Sequence, residues 1–151
     1  MLKLRSLFAV LTLALALTLA QGQQPADAAD TKPGLFVNLT TDDTWSATKA
    51  IMFAHQKALK NGLSPVVVWL NVQGIYLADA KRPSPTHGLM KDNLHEMLQA
   101  FMQDGGIVYA CQACSAAAGL VQTDFIDGVQ MGNQEAILGL LADPKVKTLA
   151  W

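Results

Sequence analysis

Apolar and polar residues fall in blocks along this chain, and the blocks alternate between two periods. Leu35-Phe36-Val37-Asn38-Leu39 is a short apolar run that ends in Thr40-Thr41-Asp42-Asp43. A buried strand followed by helix-capping side chains has this form. From Thr44 to Lys60, residues Ala47, Ala50, Ile51, Ala54 and Ala58 recur at helical spacing, and Asn61-Gly62 supplies a stop. Pro65-Val66-Val67-Val68-Trp69-Leu70 is β-branched and apolar without alternation. That predicts a second strand covered on both faces, as in a parallel sheet.

Asn71 to Gly88 contains Gly74, Pro83 and Pro85 and lacks periodicity, so it reads as a long connection over the carboxyl edge of the sheet. Leu94, Met97, Leu98, Phe101 and Met102 mark an amphipathic helix that closes at Gly105-Gly106. Ile107 to Ala110 is a third strand. Cys111 follows at once, and the alanine run after it predicts a helix. A short strand near Phe125 to Gln130, a helix from about Asn133 to Ala142 and a last strand from Val146 to Trp151 complete the pattern. Strands alternating with helices predict an α/β fold with a doubly wound, mainly parallel sheet of about five strands. Sites in such sheets form at the carboxyl ends of strands, where Cys111, Asn71, Asp42 and Asp43 all fall.

The N-terminus follows a different grammar. Met1-Leu2-Lys3-Leu4-Arg5 precedes an uncharged apolar run from Leu7 to Ala20, the pattern of a secretory signal peptide. A spanning helix needs about 20 apolar residues, and Gln21-Gly22-Gln23-Gln24 cuts this one short, so no permanent membrane span is expected after cleavage. Cleavage falls between Ala20 and Ala28. The A-x-A pattern of Ala26-Asp27-Ala28 favours a cut after Ala28, giving a signal peptide over 1–28 and a domain over 34–151. The mature protein is expected to be periplasmic or secreted. Its length, about 123 residues, suits one domain with its own core. Cleavage removes Lys3, Arg5 and Asp27 from 11 basic and 12 acidic residues. The remaining charge, about −2 with no cationic run, speaks against nucleic acid as a partner.

Export makes the two cysteines, Cys111 and Cys114, informative, because an oxidising compartment lets thiols pair. A disulfide over so short a separation closes too small a loop to staple a domain. Cys-x-x-Cys at a strand-to-helix turn instead favours a thiolate, with the second cysteine placed to attack an adduct on the first. Three other readings stay open. Cysteines are often small buried hydrophobes. Zinc needs four ligands, and no second pair or His-x-His cluster is present. Copper(I) suits thiolate, thioether and imidazole, and Met52, Met90, Met97, Met102 and Met131 accompany His55, His87 and His95. Met97 and Met102 fit core packing, however, and His55 fits a packed edge position. His87, in the long connection, is the candidate acid–base assistant, Asp42 and Asn71 could assist, and Asp42 and Asp43 also fit helix caps. Tyr76 and Arg82 could line a pocket. No cofactor and no resident metal is required by these motifs.

From about Gly34 to Trp151 the chain resembles the DsrE family, the DsrE/DsrF/TusD-like sulfur-relay proteins. The resemblance is strongest over Gly106-Ile107-Val108-Tyr109-Ala110-Cys111-Gln112-Ala113-Cys114 with Gly119-Leu120 downstream. Asn71 to Ala78, Phe125 to Val129 and Val146 to Trp151 extend it. The resemblance implies a flavodoxin-like sheet, assembly into trimers or hexamers, and a cysteine that carries sulfane sulfur as a persulfide. A donor or acceptor protein, or a small thiol, would be the partner. By its distance from Gly119, Cys111 matches the family's active cysteine, and Cys114 matches a second cysteine present in part of the family. Ala118 stands where members often carry a basic residue. The expectation is a periplasmic sulfur carrier or sulfurtransferase acting through Cys111. A thiol-disulfide redox protein or a copper-binding module using Cys111 and Cys114 is the alternative.

Overall fold

Strands form where β-branched and apolar residues run together. In the computed structural model, which describes residues 32–88 and 90–151, this gives β1 (Gly34–Leu39), β2 (Val66–Leu70), β3 (Ile107–Cys111), β4 (Gln130–Gly132) and β5 (Val146–Ala150). The predicted signal peptide over 1–28 and its cleavage site lie outside the described residues. The strands make one sheet in the order β4-β3-β2-β1-β5, with every neighbouring pair parallel. The expected α/β class is thus observed. The register aligns Val37 with Val68, Val68 with Val108 and Ala110 with Met131.

Helix α1 (Thr44–Met52) begins at Asp43, whose carboxylate accepts the Ser46 backbone N–H at 2.8 Å and the Ser46 hydroxyl at 2.7 Å. The helical stretch predicted to run to Lys60 widens into a π turn at Phe53–Ala58 and tightens into a 3₁₀ turn at Leu59–Asn61. Gly62, left-handed at φ 84°, ends it as read from the sequence. Helix α2 (Leu94–Gln103) starts with a capping box in which Asn93 and Glu96 each accept the other's backbone N–H. Helices α3 (Gln112–Ala117) and α4 (Gln134–Ala142) follow β3 and β4. Among the described residues no helix is long and apolar enough to cross a membrane.

Crossovers between parallel strands are right-handed, so successive steps from β1 to β4 place α1, α2 and α3 on one face. The return from β4 past β1 to β5 places α4 on the other. The two cores follow this division. On the first face Leu35, Val37, Val66, Val68, Leu70 and Val108 pack against Ala50, Ile51, Leu94, Leu98 and Phe101. On the second, Phe36, Val67 and Ile137 form a smaller cluster edged by Trp69, Ile107 and Tyr109. The residue alternation of β2 delivers Val66, Val68 and Leu70 to one face and Val67 and Trp69 to the other.

Two expectations are corrected. The connection after β2 is not irregular at its start: Val72–Ala78 forms a 3₁₀ segment that buries Gly74, Ile75, Leu77 and Ala78. A segment this tight has no long helical period for the sequence to display. The strand expected near Phe125 to Gln130 is observed later, at Gln130–Gly132. Phe125, Ile126 and Val129 are buried in the larger core as a loop, and the Ile126 N–H bonds the Ala78 carbonyl at 2.9 Å. Their apolarity reports burial beside the 3₁₀ segment, where Phe125 makes only an isolated antiparallel bridge with Asp79 and joins no strand of the sheet.

Gly74 carries a close approach. A Cβ placed there would collide with the Leu39 carbonyl oxygen at the end of β1. Gly74→Ala should therefore lower stability by about 1–3 kcal/mol. Urea unfolding should show a lower midpoint with an unchanged slope; an unchanged midpoint would show that the 3₁₀ segment yields freely.

Candidate functional site

Strand β3 passes into α3 with no intervening loop, because Cys111 is both the last strand residue and the helix N-cap. Its Sγ accepts the Cys114 backbone N–H at 3.2 Å, and the Ser115 hydroxyl donates to its carbonyl oxygen at 2.8 Å. Ser115 is fully buried, so this bond ties the first turn of α3 to the strand end. The same turn brings the cysteines together: Cys111 and Cys114 form a disulfide, with Cα atoms 5.3 Å apart.

Asn71 joins the pair from the carboxyl end of β2. Its Oδ1 lies 3.1 Å from Cys114 Sγ and accepts the Val72 backbone N–H at 2.9 Å. Its Nδ2 reaches Asn38 Oδ1 at 3.4 Å. Asn38, Asn71 and Cys114 thus form a polar line across the ends of β1, β2 and α3. When the disulfide is opened, the two sulfurs meet different surroundings. A backbone N–H faces Cys111 Sγ, whereas the Asn71 amide oxygen faces Cys114 Sγ.

Cys111, 8 % exposed, opens onto a groove of about 470 Å³. Trp69, Ala113, Ala116, Ile137 and Leu138 make its apolar walls, with the amides of Gln112, Asn133 and Gln134 also at its edge. Gly132 is the β4 residue in register with Cys111, and its missing side chain leaves that rung open. These walls were not singled out from the sequence. The sequence pattern marks Trp69 only as a strand residue, and Ile137 and Leu138 only as part of a helix.

The other candidates sit elsewhere. His87 packs edge-on against Trp45, with ring centroids 4.5 Å apart, and does not line the groove. Asp42 is exposed and lines a separate cleft with Tyr76 and Arg82. Arg82 stacks 3.5 Å from the Tyr76 ring centroid and pairs with Asp79 at 3.5 Å, which keeps its charge in that cleft. Met52, His55, Met90 and Met97 line a third cavity of about 240 Å³ between α1 and α2. There His55, buried, places Nε2 2.6 Å from Asp104 Oδ2, and Lys60 approaches the same oxygen at 3.5 Å. Among the described residues no cluster of three or more His, Cys, Asp or Glu side chains is arranged to hold a metal.

A model of the DsrE/DsrF-like family matches residues 34–146, which takes in the whole sheet up to the first residue of β5. The chain belongs to the DsrE/DsrF-like family. Solved structures share the fold. The ychN protein of E. coli is 19 % identical, with 78 % of this chain and 99 % of that one covered at a TM-score of 0.62. MTH1491 of Methanobacterium thermoautotrophicum, a protein of unknown function, is 13 % identical over 80 % of this chain and 100 % of its own, at 0.61. BT1422 of Bacteroides thetaiotaomicron, also of unknown function, is 16 % identical over 82 % and 99 %, at 0.56. No curated protein matches the chain. Within this DsrE/DsrF-like fold, the cysteine turn sits at the carboxyl end of β3, where α3 begins.

Two outcomes follow from the geometry. In the reduced protein, Asn71→Ala should speed alkylation of Cys114 at neutral pH by about 2- to 10-fold, the value of one hydrogen bond of about 0.5–1.5 kcal/mol. Peptide mapping reads this, and an unchanged rate would show that Asn71 does not hold the Cys114 proton. For Asp104, the hydrogen bond from His55, helped by Lys60, holds the carboxyl below its ordinary 3.8. A carboxylate lowered on folding stabilises the native state above that value and loses the effect as pH falls through its folded value. The stability gap between wild type and Asp104→Asn should accordingly shrink as acid is added below pH 3.8. A gap that stays constant through this range would contradict the pairing.

Proposed function

We propose that this protein is an exported sulfur carrier of the DsrE/DsrF-like family that holds sulfane sulfur as a persulfide on Cys111. The observation that carries the reading is the position of Cys111. It ends a central strand, receives a backbone N–H on sulfur, has a second cysteine within bonding reach and opens onto a groove. Sulfur relay is the role the family resemblance implies. The basic N-terminus and apolar run over 1–28 support work in the periplasm or outside the cell. Assembly into trimers or hexamers belongs to the same reading, and the exposed Leu141 and Leu149 offer apolar surface for it.

In this scheme a dithiol first opens the disulfide by exchange. The Cys111 thiolate then attacks the outer sulfur of a donor R–S–SH. A bond forms from Cys111 Sγ to that sulfur, the donor S–S bond breaks, and R–S⁻ leaves with the electron pair. The product is Cys111–S–SH. An acceptor thiolate takes the outer sulfur by the same displacement and returns Cys111 as thiolate. After transfer, Cys111 and Cys114 re-form their disulfide by exchange with a small-molecule disulfide R′–S–S–R′, which takes the two electrons and leaves as two R′–SH.

The closed disulfide also favours a second reading, a thiol-disulfide redox protein that cycles Cys111 and Cys114 without carrying sulfur. Intact-mass measurement separates the two. The reduced protein incubated with a sulfane donor should gain one sulfur atom, Cys114→Ser should keep the gain, and Cys111→Ser should lose it. A wild-type protein that gains no sulfur, yet equilibrates with glutathione, would replace the carrier by the redox protein.

A further inference from the structure

The groove beside Cys111 has a composition that bears on what reaches the sulfur. Its walls are Trp69, Ala113, Ala116, Ile137 and Leu138, with Gln112, Asn133 and Gln134 at its edge, and among the described residues no Lys, Arg, His, Asp or Glu lines it. Two cations near the carboxyl ends of the strands are engaged away from the groove, Arg82 with Asp79 and Tyr76 and Lys81 with Asp124 at 2.6 Å, and the exposed Glu135 beside Gln134 adds negative charge at its rim. An anionic body entering this groove would lose hydration and meet no counter-charge, a cost that burial without pairing always carries. An apolar body would instead remove Trp69, Ala116 and Leu138 from water. The volume, about 470 Å³, is that of a small-molecule site and holds more than the transferred sulfur alone.

We infer that the groove selects the sulfur donor by its body: the substrate class is an organic hydropersulfide R–S–SH in which R is apolar and uncharged, such as an alkyl or aryl group. Thiosulfate, a small dianion, and persulfides of charged peptides are the disfavoured donors. The inference rests on the sulfur-carrier reading and adds selectivity to it. The reaction is the displacement already written, in which Cys111 Sγ gains the outer sulfur and R–S⁻ departs. R–S⁻ leaves along the groove, because Cys111 lines it and Cys114 does not. No oxidant enters the step, since the sulfane sulfur keeps its oxidation state as it changes partners.

Two positions allow the charge of the groove to be changed without touching the buried core. Ala116 is exposed on α3, and Leu138 is 52 % exposed on α4. Ala116→Lys and Leu138→Lys each place a cation at the wall. The full mature chain, reduced by a dithiol and desalted, is mixed with benzyl hydropersulfide, glutathione hydropersulfide or thiosulfate. The gain of one sulfur on Cys111 is followed by intact mass. Each rate is divided by that of N-acetylcysteine with the same donor, which removes the donor's own reactivity. Circular dichroism confirms that the variants fold, and light scattering gives their assembly state.

The normalised rate for the benzyl donor should exceed those of the two charged donors by on the order of 10-fold, the discrimination a small apolar pocket supplies. Either lysine variant should shrink this preference and raise the rates with glutathione hydropersulfide and thiosulfate. Equal normalised rates for all donors in wild type would overturn the selectivity while leaving the sulfur carrier intact. Loading by none of the three would overturn the carrier reading and the selectivity with it. An oligomer that both lysine variants split, with no donor preference in wild type, would make the groove an interface between copies of this chain and overturn its role as a substrate site.

Discussion

A parallel sheet must be covered on both faces, because its strands are apolar on both and its connections have to cross over. In this chain that requirement is met unequally. Three crossovers lay α1, α2 and α3 over one face, where Phe101, Leu98 and Ile51 are fully buried. On the other face the return crossover brings α4, in which Ile137 is the buried residue. Thin cover on this side leaves Trp69 partly exposed and an apolar groove open between α3 and α4. Cys111 meets solvent there because the fold has not enough helix to close the space.

The reactive turn depends on a second economy of construction. Without a loop between β3 and α3, the cysteine backbone is fixed by sheet pairing on one side and by the Ser115 hydroxyl on the other. Asn71 reaches the same turn from the neighbouring strand and contacts the second sulfur alone. The two sulfurs therefore have different polar neighbours, a backbone N–H at Cys111 and an amide oxygen at Cys114. At the opposite side of the sheet, where the strand order reverses between β1 and β5, the Trp151 carbonyl accepts both the N–H and the hydroxyl of Thr40, at 3.0 and 2.7 Å. Ligand sites of open α/β sheets commonly occupy such a switch point. Here the backbone is laced together there, and the reactive group lies two strands away.

Much of this was legible in the sequence, for identifiable reasons. Val66 to Leu70 could only be a doubly covered strand, and Asn61-Gly62 could only stop a helix, because each pattern has a single physical cause. Cys111 and Asn71 were placed correctly by their position after apolar runs, since strand ends converge in a parallel sheet. What escaped the sequence was long-range. Phe125 to Val129 carries the apolarity of a strand but buries against Val72–Ala78, a contact no local period encodes. His87 and Asp42 share the carboxyl edge in sequence terms, yet one packs on Trp45 and the other lines the cleft of Arg82. The groove walls come from β2, α3 and α4, and only the fold assembles them.

The rung that pairs Cys111 with Gly132 has a further meaning. The cysteine turn is set by five consecutive residues, Cys111 to Ser115, and one asparagine, whereas one side of the groove is set by β4 and α4, a different stretch of the chain. A side chain grown at Gly132 would press on Tyr109 and Ile137. It would narrow the entrance while leaving the sulfur's hydrogen bonds untouched. The cysteine turn and the width of the groove beside it can therefore change independently of each other.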